Sequence, residues 1–541
     1  MPTIYSEETL PLPVGLGIDS YNHPVNIADG FCTEIKNFVA RKDRLVSRQG
    51  FAPPDATDTR EAFDVDYQYY ARLPQFTPEM PTAIWSSGAS TWMIKQFDPI
   101  DPAALTVGIS GIKEFAAISF FTGACAYLDR VYILDETGIN YITAIDWSAG
   151  TLTKNLVTST ISATNNVRGL FNFKERIWAW DSTKIYYTDA PTSPGAYPET
   201  WDVNGKFIVV NAGTGMGHIY QVIPVGTKLF IFTATGLYNV SILGSPANWV
   251  VRLIDTNVQV NTNHCAYEVQ GMMYFVDTRG VWVTNGDEIH LLSNSIQDAF
   301  REDPGANRYF KWKLTPFEDG FLICREKIGV AGGTLIYTGE GRLWYTELEF
   351  IAWTEFTFTN ANEGPVCLIG SFAHMETHLI WPKSSYIVLA HGVSPDSPFT
   401  VHLLKYGGYQ DVLRKLGAAA STTSVISDFL TKIYRGTMLD EKNGKMAYVN
   451  FSCESSDDDD VLTDVFSYQW YTENEQEALT TINTVTLQNT KECLVPIFGP
   501  EYFRHIQLYF KATLSTDMSQ VTVLGAVLVI DTHRKTARGD S

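Results

Sequence analysis

The sequence predicts an all-β protein, a β-propeller of about six or seven degenerate blades followed by a C-terminal β-sandwich-like platform domain. Three observations predict it. A two-run hairpin pattern recurs along the middle of the chain at intervals of 46, 52 and 44 residues. The runs are β-branched and aromatic and too short for helices. After about residue 410 the pattern gives way to strands at sandwich-like spacing. A hairpin cannot bury its faces alone, whereas four-stranded sheets repeated every 40–50 residues or so can stack around an axis.

The clearest units are Leu128–Ile142, Phe173–Tyr187, Val225–Val240 and Val269–Thr284. Aligning the aromatic residue in each first run gives Tyr132, Trp178, Phe230 and Tyr274. Fainter copies stand at Thr91–Ile94, Phe321–Cys324 and His378–Trp381. The runs are joined by Asp135-Glu-Thr-Gly138, Thr233-Ala-Thr-Gly236 and Asp277-Thr-Arg-Gly280. In such turns Asp or Thr bonds its own backbone, and glycine three positions later is expected to supply a left-handed residue. A calcium loop would need several carboxylates at alternate positions, and these turns have too few.

This gives three regions: residues 1–60 as an N-terminal segment expected to join the platform, 61–410 as the propeller, and 411–541 as the platform. The platform strands are expected at Ile426–Tyr434, Lys445–Phe451, Val465–Tyr471, Thr480–Leu487, His505–Thr513 and Val521–Ile530. Asp457–Asp460 reads as a hydrated hairpin tip, because four adjacent like charges repel. The clearest helix is Asn294–Arg301, with Asn or Ser expected to cap it.

Composition narrows the function. Charged residues make up 18% and aromatic residues 13%, a surface suited to protein neighbours. The net charge of −20 argues against an outer surface that grips nucleic acid through phosphates. Met1–Leu10 lacks a basic segment followed by an apolar stretch, and apolar runs such as Val523–Ile530 are too short to span a bilayer. Seven scattered cysteines without a C-x-x-C pair read as buried thiols. A soluble product made in a reducing compartment is therefore expected.

No catalytic constellation emerges. Gly213, Gly215 and Gly217 resemble a nucleotide loop, but their spacing departs from the dinucleotide pattern and no amphipathic helix follows. They read instead as a connection between blades. In His374-Met-Glu-Thr-His378 the Glu occupies the wrong slot for a zinc protease, and the flanks look like strands. No Ser-x-Asp-x-Gly-x-Thr-Trp box or Gly-x-Ser-x-Gly turn occurs. Arg538-Gly-Asp540 matches an adhesion tripeptide of the kind that recurs by chance. No enzyme activity, cofactor or metal is expected.

Two terminal stretches carry a family likeness. Asn37-Phe38 followed by Leu45-Val46-Ser47-Arg48-Gln49-Gly50 resembles the start of tail nozzle and tail-tubular proteins of short-tailed bacteriophages. Tyr502–Lys511 followed by Val521–Ile530 is similar to the end of the packaged-DNA stabilisation branch of that group. Val209–Ser293 is similar in layout. The resemblance implies a virion structural protein, six copies of which form a ring below portal and adaptor, with double-stranded genomic DNA passing through the lumen unread. Tail fibres or spikes are further partners in this reading. The acidic insert Asp457–Asp460 departs from the family pattern. Locally, Gly50 is read as ending a hairpin and Arg48 as pairing across it.

A net-negative lumen would let DNA slide, whereas a basic one would trap it. Gly213–Gly217 and Asp189–Pro198 are the candidate gate or lumen loops. Two other readings stay open at this stage: a propeller adhesin or carbohydrate-binding protein of the tail, and a propeller hydrolase acting on polysaccharide.

Overall fold

The computed structural model describes residues 5–52, 62–65, 71–73, 82–88, 91–96, 113–115, 121–135, 137–143, 155–162, 167–210, 217–331, 334–337, 341–358, 365–372, 386–391, 399–406, 410–413, 421–435, 441–455, 461–472, 478–486, 492–498, 503, 505–514 and 518–533. His374, His378, Asp457–Asp460 and Arg538–Asp540 lie outside this set, as do Gly213 and Gly215.

Alternating and continuous apolar runs produce strands almost throughout, and those of the middle region form antiparallel meanders. Five are four-stranded sheets built from consecutive strands. The first runs from Ala71–Leu73 to Lys113–Phe115, the second from Phe121–Tyr127 to Asn155–Thr158, and the third from Gly169–Phe173 to Phe207–Val209. The fourth runs from Ile219–Val225 to Val251–Asp255 and the fifth from Ala266–Val269 to Ile289–Leu291. A sixth meander comprises Arg308–Phe317, Gly320–Ala331, Arg342–Glu347 and Thr354–Phe356. The seventh comprises Pro365–Phe372, Tyr386–His391 and Phe399–Tyr406. Its outer strand comes from the other end of the chain: Ala62–Val65 pairs with Phe399–His402, and Phe51–Ala52 with Lys405–Tyr406. Ala62–Val65 also lies against Thr82–Gly88 of the first blade, which closes the propeller.

Tyr132, Trp178, Phe230 and Tyr274 all fall in the second strand of their blades, so each repeating unit is the second and third strands of one sheet. Neighbouring blades share cores. Tyr132 and Leu134 pack with Ile177 and Ala179, and Trp178 and Ile185 pack with Leu229 and Ile231. Phe232 meets Phe275 at 5.3 Å between ring centroids. At about 25 cal/mol per Å² of buried apolar surface, these inter-blade seams are the main cohesive term.

The platform is a sandwich. One sheet has the order Phe38–Arg41, Arg44–Ser47, Met518–His533, Glu441–Ser455, Glu492–Phe498, with Tyr5–Leu12 also pairing with Met518–His533. The other runs Cys32–Lys36, Ile426–Thr431, His505–Thr513, Val461–Thr472, Thr480–Thr486. Leu45, Val449, Val523 and Leu528 from the first face Phe429, Phe466, Trp470 and Phe510 from the second in one core. The platform therefore contains strands from residues 5–47 as well as from the C-terminal part, while Phe51–Ala52 belongs to the propeller. Its second sheet also continues into the propeller, because Cys32–Lys36 pairs in parallel with Thr354–Phe356 of the sixth blade through Lys36 and Glu355.

The helix over 294–301 is a 3-10 turn, Asn294–Ile296, followed by one α-turn, Gln297–Arg301. The expected Asn or Ser cap is absent. Ser293 makes no capping bond; its hydroxyl accepts the Val281 N–H at 3.0 Å from the third strand of the fifth blade, the blade it directly follows.

Gly50 lies beyond the Phe38–Arg41/Arg44–Ser47 hairpin, where the chain crosses to the propeller. Arg48 does reach across that hairpin, to Asn37, but its reach extends further. Asn37 is 1% exposed and left-handed at φ 57°, a conformation Asn tolerates better than most residues. Its N–H donates to Glu355 O at 2.8 Å, and its carbonyl accepts from Arg48 N–H and Ser427 Oγ. Its side-chain amide donates to Thr357 Oγ1 and Ile426 O, and its Oδ1 accepts from Arg48 Nε and Thr357 N–H, both at 2.7 Å. Arg48, fully buried, also donates to Gln49 O and Thr357 O. Its guanidinium lies 5.2, 5.6 and 5.2 Å from the rings of Phe51, Phe356 and Phe358.

Arg48→Met would strand several desolvated acceptors, so it should lower stability by roughly 3–5 kcal/mol. Asn37→Gly keeps the left-handed backbone and loses only the side-chain bonds, so it should cost less than Arg48→Met. Thermal scanning of both variants checks this, and an Arg48→Met protein melting with the wild type would refute it.

Candidate functional site

In an antiparallel meander the first-to-second and third-to-fourth connections share one end of the propeller. The second-to-third turns and the links to the next blade share the other. The two candidate loops therefore lie at opposite ends: Gly217 precedes the fourth blade, and Asp189–Pro198 joins the last two strands of the third. Gly217 has φ 77°, and a Cβ there would come within 2.5 Å of the Ala234 Cβ. The Ala234 N–H donates to His218 O at 3.0 Å. The described end of that loop is thus held against the turn of its own blade.

The second-to-third turns share a device that spacing alone does not show. Asp277 Oδ1 accepts from the N–H groups of Arg279 and Gly280 at 2.8 and 3.0 Å, and from Trp282 Nε1 at 2.8 Å. Its Oδ2 accepts from Gln259 N–H and from Arg279 Nε and Nη2. Asp181 repeats the arrangement: Oδ1 accepts from Thr183 and Lys184 N–H at 2.7 Å, and Oδ2 from Tyr186 Oη at 2.7 Å. In both cases the aromatic donor stands five residues after the Asp, which ties the turn to its third strand. In the second blade Asp135 pairs with Gly138.

The glycines of these turns differ in role. Gly138 has φ 138°, as expected, and its Cβ would fall 1.9 Å from Thr158 O. Gly280 and Gly236 are not left-handed. Gly280 is required by space instead, since a Cβ would lie 2.6 Å from Leu291 Cδ1 and 2.7 Å from Ser293 Oγ.

At the opposite end, the last connection of one blade reaches back onto the first hairpin of the blade before. Arg130 of the second blade lies between the rings of Tyr141 and Tyr197, at 3.9 and 3.5 Å, and donates to Glu199. Tyr132 Oη donates to the same carboxylate at 2.8 Å, and Tyr197 Oη to Asp129. Burial and the Glu199 carboxylate both push the Tyr132 phenol upward. Trp249 of the fourth blade packs at 5.4 and 5.0 Å on Trp178 and Tyr187 of the third, while Lys174 donates to Ile242 O. In the fifth blade a Cβ at Gly286 would stand 3.0 Å from Phe230 of the fourth. Asp189–Pro198, a candidate gate, therefore leads into a clamp that fastens the third blade to the second.

Among the described residues, no three His, Cys, Asp or Glu side chains converge to hold a metal ion. No helix among them is long and apolar enough to cross a membrane. Cys32, Cys125 and Cys265 are buried thiols, which burial pushes well above the usual range. A shallow cleft of about 240 Å³ on the platform is lined by His23, Tyr471, His505 and Gln507 among others.

No family model and no curated protein matches the chain. Solved structures do. PorZ, a bacterial surface component of the type-IX secretion system of Porphyromonas gingivalis, is 14% identical, covering 74% of this chain and 44% of its own, with a TM-score of 0.30. The extracellular domain of the putative one-component system BT4673 from B. thetaiotaomicron is 11% identical over 87% of this chain and 63% of its own, TM-score 0.38. The β-propeller domain of Cps50 (Swd1) from Myceliophteria thermophila is 8% identical over 69% of this chain and 99% of its own, TM-score 0.35. The chain thus spans less than two thirds of the first two. The protein is an all-β propeller with a sandwich platform.

The two aspartates separate by burial. Asp277, 1% exposed, should cost roughly 3 kcal/mol when replaced by Ala. Asp181 lies in a more exposed turn, and Asp181→Ala should cost about 1 kcal/mol. Denaturant midpoints of the two variants check the order, and a larger loss at Asp181 would contradict it.

Proposed function

We propose that the chain is a structural component of a virus tail: a nozzle in which six copies form a ring below portal and adaptor, retaining packaged DNA and conducting it at ejection. One observation carries the reading. The two terminal stretches with the family likeness, hundreds of residues apart in sequence, are partners in one sheet. Leu45 and Val46 pair with Val523 and Thr522, and Val521 N–H donates to Ser47 Oγ at 2.8 Å. Both terminal stretches lie in the platform, where their residues have to fit one another.

The chemistry is compatible. A ring of acidic chains, each with a net charge of −20, repels phosphates on balance. Head-to-tail contacts that close on themselves would use the low-charge, aromatic-rich flanks. In this role the protein turns nothing over, and its partners are copies of itself, the adaptor and portal, and fibres or spikes.

The test is to mix the purified chain with portal–adaptor rings and measure mass and image the product. Six copies docked coaxially on each ring are expected. A chain that neither forms rings nor docks would end the proposal.

A further inference from the structure

The join between platform and propeller carries a row of alternating charge across consecutive strands. Glu355 of the sixth blade pairs with Lys36, Lys36 with Asp428, and Asp428 with Lys511. One cation of the row, Lys36, is also engaged within its own strand. Lys36 Nζ donates to Glu34 on its own strand at 3.0 Å. Glu355 receives two bonds from Arg342 at 2.8 Å. Asp428 sits mid-row at 9% exposure, sharing Lys36 with Glu34 and Glu355. The main-chain pairing at this place is a single parallel bridge.

We propose that this row is an acid-tightened clasp: a proton taken up by Asp428 strengthens the join between propeller and platform, and its loss loosens it. A desolvated carboxylate that shares Lys36 with two other carboxylates is costly, and neutralising it removes the cost. The groups that face Asp428 are Glu34 and Lys36 from Cys32–Lys36, and Lys511 and the bonded phenol of Tyr509 from His505–Thr513. Glu355 and Arg342 act through Lys36. No histidine stands in the row. Burial, aided by Glu34, pushes the carboxyl up to about 6, against the pull of Lys36 and Lys511.

The sign follows from linkage. The folded carboxyl titrates above its unfolded value of 3.8, so between those values the native state binds the extra proton. Stability from this group is therefore full below pH 4 and falls as pH rises through about 6.

Hydrogen exchange at the Asn37 amide, which donates across the join to Glu355 O, reads the clasp directly. After correction for intrinsic rates, protection should be about tenfold higher at pH 5 than at pH 7.5. The amides of Leu229–Phe232 in the fourth blade should change less. Asp428→Asn should abolish the step and give acid-like protection at pH 7.5, and Lys511→Met should lower protection at pH 7.5. A pH-independent Asn37 amide in the wild type, or a step that survives in Asp428→Asn, would overturn the inference.

Discussion

The structure depends on a buried contact between an asparagine and an arginine. Asn37 adopts a left-handed backbone so that the strand Cys32–Lys36 can end on one sheet while Phe38–Arg41 begins on the other. Its amide and carbonyl then bond the sixth blade, at Glu355 and Thr357, and the platform strand at Ile426 and Ser427. Arg48 fills the remaining acceptors and stacks among three phenylalanines. A buried guanidinium is tolerable only when acceptors surround it closely, and here the Asn37, Gln49 and Thr357 oxygens do so. That requirement fixes the relative position of platform and propeller more tightly than an apolar seam would.

The propeller holds itself together differently. Its blades diverge so far that no sequence signature repeats strictly, yet the neighbours from the second to the fifth share a core and a clamp. The clamps use whatever the local sequence provides: an arginine between tyrosines, a tryptophan on a tryptophan–tyrosine pair, a glycine against a phenylalanine. Their common feature is topological, the last connection of one blade lying over the first hairpin of its neighbour. Conserving position and not chemistry allows blades to drift without the stack opening.

What was legible in the sequence is what is local. The second and third strands of each blade sit beside one another, so the aromatic at Tyr132, Trp178, Phe230 or Tyr274 and the turn after it declare a hairpin within fifteen residues. The role of Arg48 was not legible in full. Its bond to Asn37 spans eleven residues, but the one to Thr357 spans 309. A sequence does not show that an arginine is buried. Arg130 and Glu199 are 69 residues apart, and nothing local to Asp189–Pro198 declares a fastened loop. Gly280 was misread because a turn glycine satisfies two different demands, backbone freedom and space, and the letter does not say which.

The same logic bears on how the two ends of the chain constrain each other. The outer strand of the seventh blade comes from Phe51–Ala52 and Ala62–Val65, and the platform strands come from the chain before and after the propeller. The propeller therefore cannot close until the N-terminal segment is seated, and that segment is seated through Asn37 and Arg48 against strands made last. Loop closure over hundreds of residues costs little more than over tens, so the arrangement is thermodynamically cheap. Its consequence is kinetic, since contacts of such high sequence separation slow folding. A chain built this way ties its two domains together, and the join between them is where the single parallel bridge and its row of charges stand.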